Sequence, residues 1–152
     1  MEVEIRVEPG RTEPKAVLYA GADTPELRDL ARRLEGMWVG PLPALQGERV
    51  ILLDPERILR FYTDGRGVAA QTEEQVCSVR LRLYELEERL SSRGFLRVSQ
   101  SELVNRRYIT ALDLSLTGTI RMTLGEGLAV CYVSRRHVKR IKQQLLGEEE
   151  LG

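Results

Sequence analysis

The chain has 152 residues, of which 42% are hydrophobic and 30% charged, so it can form one ordinary domain with a core and is not expected to be disordered. Its 23 basic and 23 acidic residues balance to a net charge of zero, so a cationic surface can arise only if the charge is segregated. No apolar run approaches the roughly 20 residues of a membrane span, and the charged N-terminus is not typical of a signal peptide, which predicts a soluble cytoplasmic protein.

Residues 1–47 predict a small strand-strand-helix element. Residues 3–7 alternate between apolar and charged side chains, as in a half-buried strand, and residues 16–20 form a second short apolar run. The run Thr24-Pro25-Glu26 has the N-cap, proline and acid of a helix start, and Gly36 is a plausible end. The apolar face of this helix consists of Leu27, Leu30 and Leu34. Residues 39–47 contain two prolines and predict a linker, so we expect a domain boundary at residue 47.

From residue 48 the pattern changes to short strands and tight turns. Strands are predicted at residues 50–53, 58–63 and 68–72, and the Asp64-Gly65-Arg66-Gly67 sequence between the last two predicts a hairpin. Thr72 and Gln75 have capping-box spacing, which favours a helix, whereas residues 76–79 favour a strand; we favour a strand at residues 75–79, followed by a helix from about Arg80. Gly94 is expected to end that helix in a left-handed conformation.

The C-terminal third predicts further strands and a final helix. The expected strands are residues 95–100, 103–104, 109–116, 119–124 and 128–133. Ser134 can cap a helix whose apolar residues Val138, Ile141 and Leu145 recur at helical spacing. Residues 148–152 predict a solvated acidic tail. The expected fold class is therefore mainly β with short helices, in the α+β class, with a domain over residues 48–147.

Basic residues cluster at the start of the final helix. No Asp or Glu occurs between Leu128 and Gly147, and this stretch contains Arg135, Arg136, Lys139, Arg140 and Lys142. Two cations in the first turn of a helix oppose its dipole, at about 0.3–1 kcal/mol each. Their position suggests that an external anion compensates for them, and a cationic patch on a neutral chain is typical of a phosphate-binding surface.

Four motifs, in this order and with this spacing, resemble the LytTR family of bacterial DNA-binding domains. They are Ile58-Leu59-Arg60-Phe61-Tyr62; Leu83-Tyr84-Glu85-Leu86-Glu87 with Leu90; Phe95-Leu96-Arg97-Val98-Ser99-Gln100-Ser101-Glu102-Leu103-Val104-Asn105 with Ile109; and Val133-Ser134-Arg135-Arg136 with Lys139. The third motif followed by the fourth is the most specific feature. The resemblance covers residues 58–146, and the first fifty residues fall outside it.

The resemblance implies an elongated, antiparallel LytTR-type fold whose loops place side chains in successive major grooves of duplex DNA. It also implies a sequence-specific transcription regulator that binds paired sites, and therefore a homodimer. Many family members carry a phosphorylated receiver domain. About fifty residues are too few for such a domain, so we expect a response-regulator-like protein that lacks it and whose N-terminal element serves dimerisation or packing.

The family's DNA-facing positions correspond here to three loops. Arg66, Gln100 and Arg136 are the expected base readers, because a guanidinium fork matches guanine and an amide matches adenine. The expected phosphate contacts are Arg97, Ser99, Arg135, Lys139 and Arg140. Each has a structural alternative: Arg66 as an exposed turn residue, Gln100 as an outward strand residue, Arg135 as a packed side chain that could exchange roles with Arg136.

Other functions are less well supported. A basic helix that docks on an acidic protein partner is the main alternative to DNA binding, and RNA binding is disfavoured because aromatic residues make up only 5% of the chain. His137 is the one histidine and has no metal-ligand or catalytic spacing, so we expect no enzyme, metal or cofactor. Cys77 and Cys131 form no CxxC pair; a single structural disulfide stays open, and Cys131 is expected to pack as a small hydrophobe.

Overall fold

Short loops divide the chain into three α-helices and ten β-strands in a computed structural model that describes residues 1–147. The helices are α1 (Pro25–Gly36), α2 (Leu83–Leu90) and α3 (Arg135–Leu146). The strands are β1 (Leu42–Gln46), β2 (Arg49–Leu53), β3 (Arg60–Asp64), β4 (Gly67–Gln71), β5 (Val76–Val79), β6 (Phe95–Ser99), β7 (Glu102–Asn105), β8 (Ile109–Asp113), β9 (Ile120–Leu124) and β10 (Ala129–Val133). The acidic tail expected at residues 148–152 lies outside the described residues.

The first unit, Met1–Gly36, contains α1 and no strand, and all of its residues are described. The helix begins as expected, because the Thr24 hydroxyl accepts a hydrogen bond from the Leu27 N–H at 3.2 Å. The strands expected at residues 3–7 and 16–20 are wrong. Alternation gives such a segment one apolar face, but a strand forms only where a neighbouring strand satisfies its backbone groups. Within this unit no second strand does so, and Ile5 is 87% exposed.

The linker expected at residues 39–47 is also wrong. This segment contains β1, which pairs with β2 along its whole length, and Gly47 lies in the turn between them with φ 62°. Trp38 packs against the core, and its backbone N–H donates to the carbonyl of Arg89 at 3.0 Å. Pro43 fits in a strand because β5 pairs with β1 only at Leu45, beyond the proline. The second unit therefore begins at Met37.

The ten strands form two antiparallel sheets. The seven-stranded sheet has the order β2-β1-β5-β4-β3-β7-β6, and the three-stranded sheet has the order β10-β9-β8. The hairpin predicted between β3 and β4 is confirmed: Asp64 pairs with Gly67, and Gly65 has φ 61° at the first central position. Positive φ at that position is typical of a type II′ turn, which matches the twist of the strands. The strand expected at residues 75–79 is confirmed as β5.

The seven-stranded sheet buries a separate core on each face. On one face, Phe61 and Phe95 lie 5.4 Å apart between ring centroids and pack with the leucines of α2. On the other face, Leu59 and Val98 pack against the three-stranded sheet and Ile141 of α3. In β7 the neighbouring residues Leu103 and Val104 thus serve opposite cores. The architecture is mostly antiparallel β with three helices among the described residues, as the sequence predicted.

Asn105 and the two cysteines have structural roles. Asn105 is buried; its Nδ2 donates to the carbonyl of Ile58 at 2.9 Å, and its Oδ1 accepts from the Arg107 N–H at 3.1 Å. The Asn105 amide therefore ties the chain down where β7 ends. Cys77 and Cys131 are buried in different cores as free thiols, so they do not form a disulfide. None of the described helices combines the length and apolarity needed to cross a membrane.

Candidate nucleic-acid interface

Three loops from distant parts of the sequence lie side by side at one end of the seven-stranded sheet. The Thr63 N–H donates to the Ser101 carbonyl at 3.0 Å, which joins the β3–β4 turn to the β6–β7 turn. The Ser134 N–H donates to the Val98 carbonyl at 2.8 Å, which joins the start of α3 to the end of β6. We call the surface formed by residues 65–66, 100–101 and 134–136 the three-loop surface.

The three-loop surface carries the expected base-reading residues in accessible positions. Arg66, Gln100 and Arg136 are all exposed, one on each loop. Within the described part of the chain, neither Arg66 nor Arg136 is ion-paired. Lys139, one turn further along α3, is also exposed. The backbone pairing therefore brings these four side chains onto neighbouring exposed positions, as a duplex-binding surface requires.

Arg135 lies against the loop between β8 and β9. A Cβ built on Gly118 would stand 3.0 Å from Arg135 Nη2 and 3.2 Å from its Nε, and Gly118 has φ 74°. Only glycine combines this backbone conformation with so close an approach. Of the two roles left open for Arg135, the geometry favours a packed guanidinium with an exposed face.

Arg97 was expected to contact phosphate, and its contacts do not favour that role. Its Nε donates to the Ser99 carbonyl at 2.6 Å, its Nη2 to the Gln100 carbonyl at 2.8 Å, and its Nη1 to Glu87 Oε1 at 3.1 Å. The side chain is only 16% exposed. Because each guanidinium nitrogen already has a partner inside the protein, Arg97 is better described as part of the scaffold beneath the β6–β7 turn.

Arg140 and Ser99 are also tied into this scaffold by hydrogen bonds. Arg140 Nη2 donates to the Arg97 carbonyl at 2.6 Å while the residue stays exposed. The Ser99 hydroxyl oxygen accepts from the Ser101 N–H at 3.2 Å and lies 3.2 Å from the Ser101 hydroxyl. Either hydroxyl can be the donor in the Ser99–Ser101 pair, and when Ser101 donates, the Ser99 hydroxyl can donate to a phosphate.

The pKa of His137 is sensitive to the positive charges at the start of α3. Its pKa is lowered below the ordinary value, first by burial and then by the cations Arg140, Arg136 and Arg97, while Glu87 acts in the opposite direction. Three guanidinium groups close enough to depress the pKa of one imidazole make this end of the domain favourable for an anion. The cations of α3 are evident in the sequence, whereas their proximity to Arg97 depends on the fold.

A fourth loop, which the sequence did not predict as part of the site, lies beside the three-loop surface. Residues 114–119 connect β8 to β9, and the Thr119 hydroxyl donates to the Val133 carbonyl at 2.6 Å. Leu114 and Leu116 in this loop are 47% and 40% exposed. Two leucines in an otherwise polar turn were the available sequence signal. Their place became clear only from the pairing of Val133 with Ile120.

Neither the Cys131 thiol nor a cluster of metal-binding side chains forms a second site among residues 1–147. Burial, followed by the Glu102 carboxylate, raises the pKa of the Cys131 thiol to about 12, while Arg60 opposes the shift. A thiol with so high a pKa is almost wholly protonated at neutral pH and reacts slowly with oxidants. Across residues 1–147 the structure holds no cluster of His, Cys, Asp or Glu able to bind a metal ion.

A family model describes the second unit. The model of the LytTr DNA-binding domain matches residues 48–146. This range runs from the β1–β2 turn to the end of α3 and includes all three loops of the three-loop surface.

Individual proteins agree with the family model. An uncharacterized HTH-type transcriptional regulator of Staphylococcus aureus strain NCTC 8325 is 38% identical over 98 residues, which are 64% of this chain and 65% of the relative. A regulator with the same description from the bovine strain RF122 is 41% identical over 88 residues, 58% of each chain. A solved LytTr DNA-binding domain from Bacillus cereus superposes with a TM-score of 0.67 over 72% of this chain and 99% of that domain; at 17% identity it shows the shared fold.

The depressed pKa of His137 predicts a loss of stability in mild acid. The unfolded chain takes up a proton near pH 6.5, whereas the folded protein does so only at lower pH, so the free energy of unfolding should fall as the pH drops below about 6.5. Urea unfolding at about pH 7.5 and about pH 5.5 measures this change. His137→Gln, which keeps a hydrogen-bonding group beside Ser134, should show a smaller drop. An equal drop in both proteins would assign the effect to other groups.

Proposed function

The chain belongs to the LytTR family of DNA-binding domains, and from this membership we propose that it is a sequence-specific transcription regulator that reads duplex DNA with the three-loop surface. The chain spans 65% of the length of the Staphylococcus relative described above, so the activity of the whole protein is part of the proposal. The family is one of DNA-binding domains and not of enzymes. We place its action in the bacterial cytoplasm, where its DNA target lies.

One observation supports the proposal most directly. The loops with Arg66, Gln100 and Arg136 are joined in series by the Thr63–Ser101 and Ser134–Val98 backbone hydrogen bonds. Each of the three side chains is exposed and can pair with base edges: the guanidinium groups with guanine O6 and N7, and the amide with adenine N6 and N7. Readout from several loops suits a protein whose α2 and α3 are separated by five strands. Such helices do not form a helix-turn-helix pair.

We assign phosphate contacts around these base readers according to the hydrogen bonds that each cation already makes within the protein. Lys139 and the exposed face of Arg135 are assigned to phosphates, and Arg140 contributes the donors left after its bond to the Arg97 carbonyl. Ser99 stays in the set as a hydroxyl donor. Arg97 leaves it because its guanidinium nitrogens already have partners.

We further propose that the protein is a homodimer on paired DNA sites, with Met1–Gly36 as the dimerisation element. Every residue of this unit is described, and none is buried. The leucine stripe of α1 remains partly exposed: Leu27, Leu30 and Leu34. Burying such a stripe against a second copy would contribute about 1.5–3 kcal/mol for each fully buried leucine. A dimer would also place two three-loop surfaces on neighbouring half-sites.

Selection of bound sequences from random duplexes tests the proposed function. The full chain at one stated salt concentration should enrich a particular sequence, and a paired arrangement of that sequence is expected for a dimer. Competition with random duplex then measures the specificity ratio, which is commonly 10³ or more for specific regulators. Recovery of no preferred sequence would reject sequence-specific regulation. It would favour the alternative in which the basic helix docks on an acidic protein partner.

Arg136→Ala and Lys139→Ala separate base reading from phosphate binding. Arg136→Ala should weaken binding to the selected sequence by about 1–3 kcal/mol and relax the preference at one base pair. Lys139→Ala should weaken binding to selected and random duplexes alike and reduce the slope of log K against log salt by about 1. Titrations over a range of salt measure both. If Arg136→Ala lowers affinity for all duplexes equally, Arg136 is a phosphate contact and not a base reader.

Leu30→Gln tests the proposed dimerisation element. Removing the central leucine of the α1 stripe should raise the dimer dissociation constant by at least about tenfold, since burial of one leucine accounts for about 1.5–3 kcal/mol. Sedimentation equilibrium measures this constant. Glu35→Gln is the matched control, because it places the same side chain at an exposed position of the same helix. An unchanged dissociation constant for Leu30→Gln would exclude α1 as the interface.

A further inference from the structure

The side chain of Arg97 holds the β6–β7 turn, which presents Gln100. Arg97 donates to two successive carbonyl groups of this turn, those of Ser99 and Gln100, at 2.6 and 2.8 Å. The pairing of β6 with β7 shifts register between Arg97 and Ser99, so the regular ladder is interrupted at this point. Where a bulge interrupts a ladder, some backbone groups lose their partners. The Arg97 guanidinium supplies partners to the carbonyls at the interruption.

The guanidinium is itself fixed by helix α2. Its third nitrogen, Nη1, donates to Glu87 Oε1 at 3.1 Å, and the two side chains are 16% and 36% exposed. A planar fork with donors on three nitrogens in fixed directions can bridge a carboxylate and two carbonyls at once. Glu87 thus determines the direction in which Arg97 faces the turn, although Glu87 lies outside the three-loop surface.

Helix α3 holds the same stretch of β6 through its backbone. Arg140 Nη2 donates to the Arg97 carbonyl at 2.6 Å, and the Ser134 N–H donates to the Val98 carbonyl at 2.8 Å. The segment that leads into Gln100 is therefore connected both to α2 and to the helix that begins with Arg136. A fixed relation between two base-reading loops is a requirement for simultaneous readout.

We infer that Arg97, oriented by Glu87, is a positioning residue that fixes the β6–β7 turn so that Gln100 meets its base. This inference rests on the proposed function, in which Gln100 reads DNA. Because Arg97 acts through the turn and not through phosphate, its loss lowers discrimination between sequences. The sequence-independent affinity for DNA falls only by the amount that the removal of one positive charge causes.

Arg97→Gln and its control Arg93→Gln test the inference in the full chain. Arg93 is a matched control: its side chain is 24% exposed, and it also bonds to a carbonyl and a carboxylate, those of Trp38 and Glu56, away from the turn. Both substitutions remove one positive charge. Arg97→Gln should reduce the ratio of selected-duplex to random-duplex affinity by about tenfold, the effect of losing one bidentate base contact, whereas Arg93→Gln should leave the ratio unchanged. An equal loss on both duplexes with Arg97→Gln, accompanied by a smaller salt slope, would make Arg97 a phosphate contact and overturn the inference.

Glu87→Ala gives a second test that does not depend on removing the arginine. Loss of a negative charge near DNA should by itself strengthen binding to every duplex, and the control Glu88→Ala, at the adjacent exposed position of α2, should show only this effect. Positioning predicts the opposite sign for Glu87→Ala on the selected duplex, where affinity should fall. If Glu87→Ala and Glu88→Ala behave alike, Glu87 has no positioning role and the inference fails.

The double variant separates failure of this inference from failure of the proposed function. If Arg97 acts through Gln100, then Arg97→Gln should cause no further loss of discrimination when Gln100 is already alanine. Additive losses would mean that the two residues act independently and would reject the inference. If Gln100→Ala alone leaves discrimination intact, the base-reading role of Gln100 is rejected, whatever the behaviour of Arg97.

Discussion

The antiparallel pairing of β3 with β7 is the constraint on which the rest of the site depends. These strands are forty residues apart in sequence, yet Tyr62 lies opposite Glu102, and the Thr63 N–H extends the contact to the Ser101 carbonyl. Pairing in this register places the turn that follows β3 beside the turn that precedes β7. A shift by one residue would reverse the face of every side chain in β7 and exchange Leu103 with Val104 between the two cores. The arrangement of the loops and the burial of the cores are therefore fixed together.

The two cores make the seven-stranded sheet a rigid support for the three-loop surface. One face packs on α2 and the other on the small sheet and α3, so the strand ends that carry the loops are supported from both sides. Polar contacts continue this support up to the turn: Arg97 connects it to Glu87 of α2, and Arg140 of α3 bonds to the same strand. A surface with this support can hold side chains within the narrow tolerance that base recognition requires.

Segregation of charge gives a neutral chain a local affinity for an anion. Arg140 of α3 bonds to the Arg97 carbonyl in the strand that leads to Gln100, and after burial the cations Arg140, Arg136 and Arg97 lower the pKa of His137. Several other arginines are neutralised by partners: Arg60 by Glu102 at 2.9 Å, and Arg28 by Asp23 at 2.7 Å. Among the described residues, Arg66 and Arg136 have no ion-pair partner, so unpaired positive charge lies at the three-loop surface. Long-range attraction to phosphate and local readout of bases can then act at the same place.

The sequence by itself determined the features that depend on neighbouring residues. The start of α1 at Thr24, the β3–β4 hairpin at Gly65, the left-handed Gly94 and the apolar stripe of α3 are all local, because caps, turns and periodicity act over a few residues. The resemblance in four ordered motifs also identified the family and the three loops. These features correctly gave the fold class and the exposed positions of the expected base readers.

Only the tertiary structure decided what depends on partners far along the chain. The alternation in residues 3–7 had the right pattern for a strand, but a strand requires a neighbour, and none pairs with it among the residues described. The segment with Pro43 resembled a linker, yet β2 offered it a partner. Arg97 was indistinguishable from a phosphate-binding arginine until Glu87, Ser99 and Gln100 were found around it. Composition and periodicity describe what a residue can contact, whereas the long-range pairing of strands determines which contact it makes.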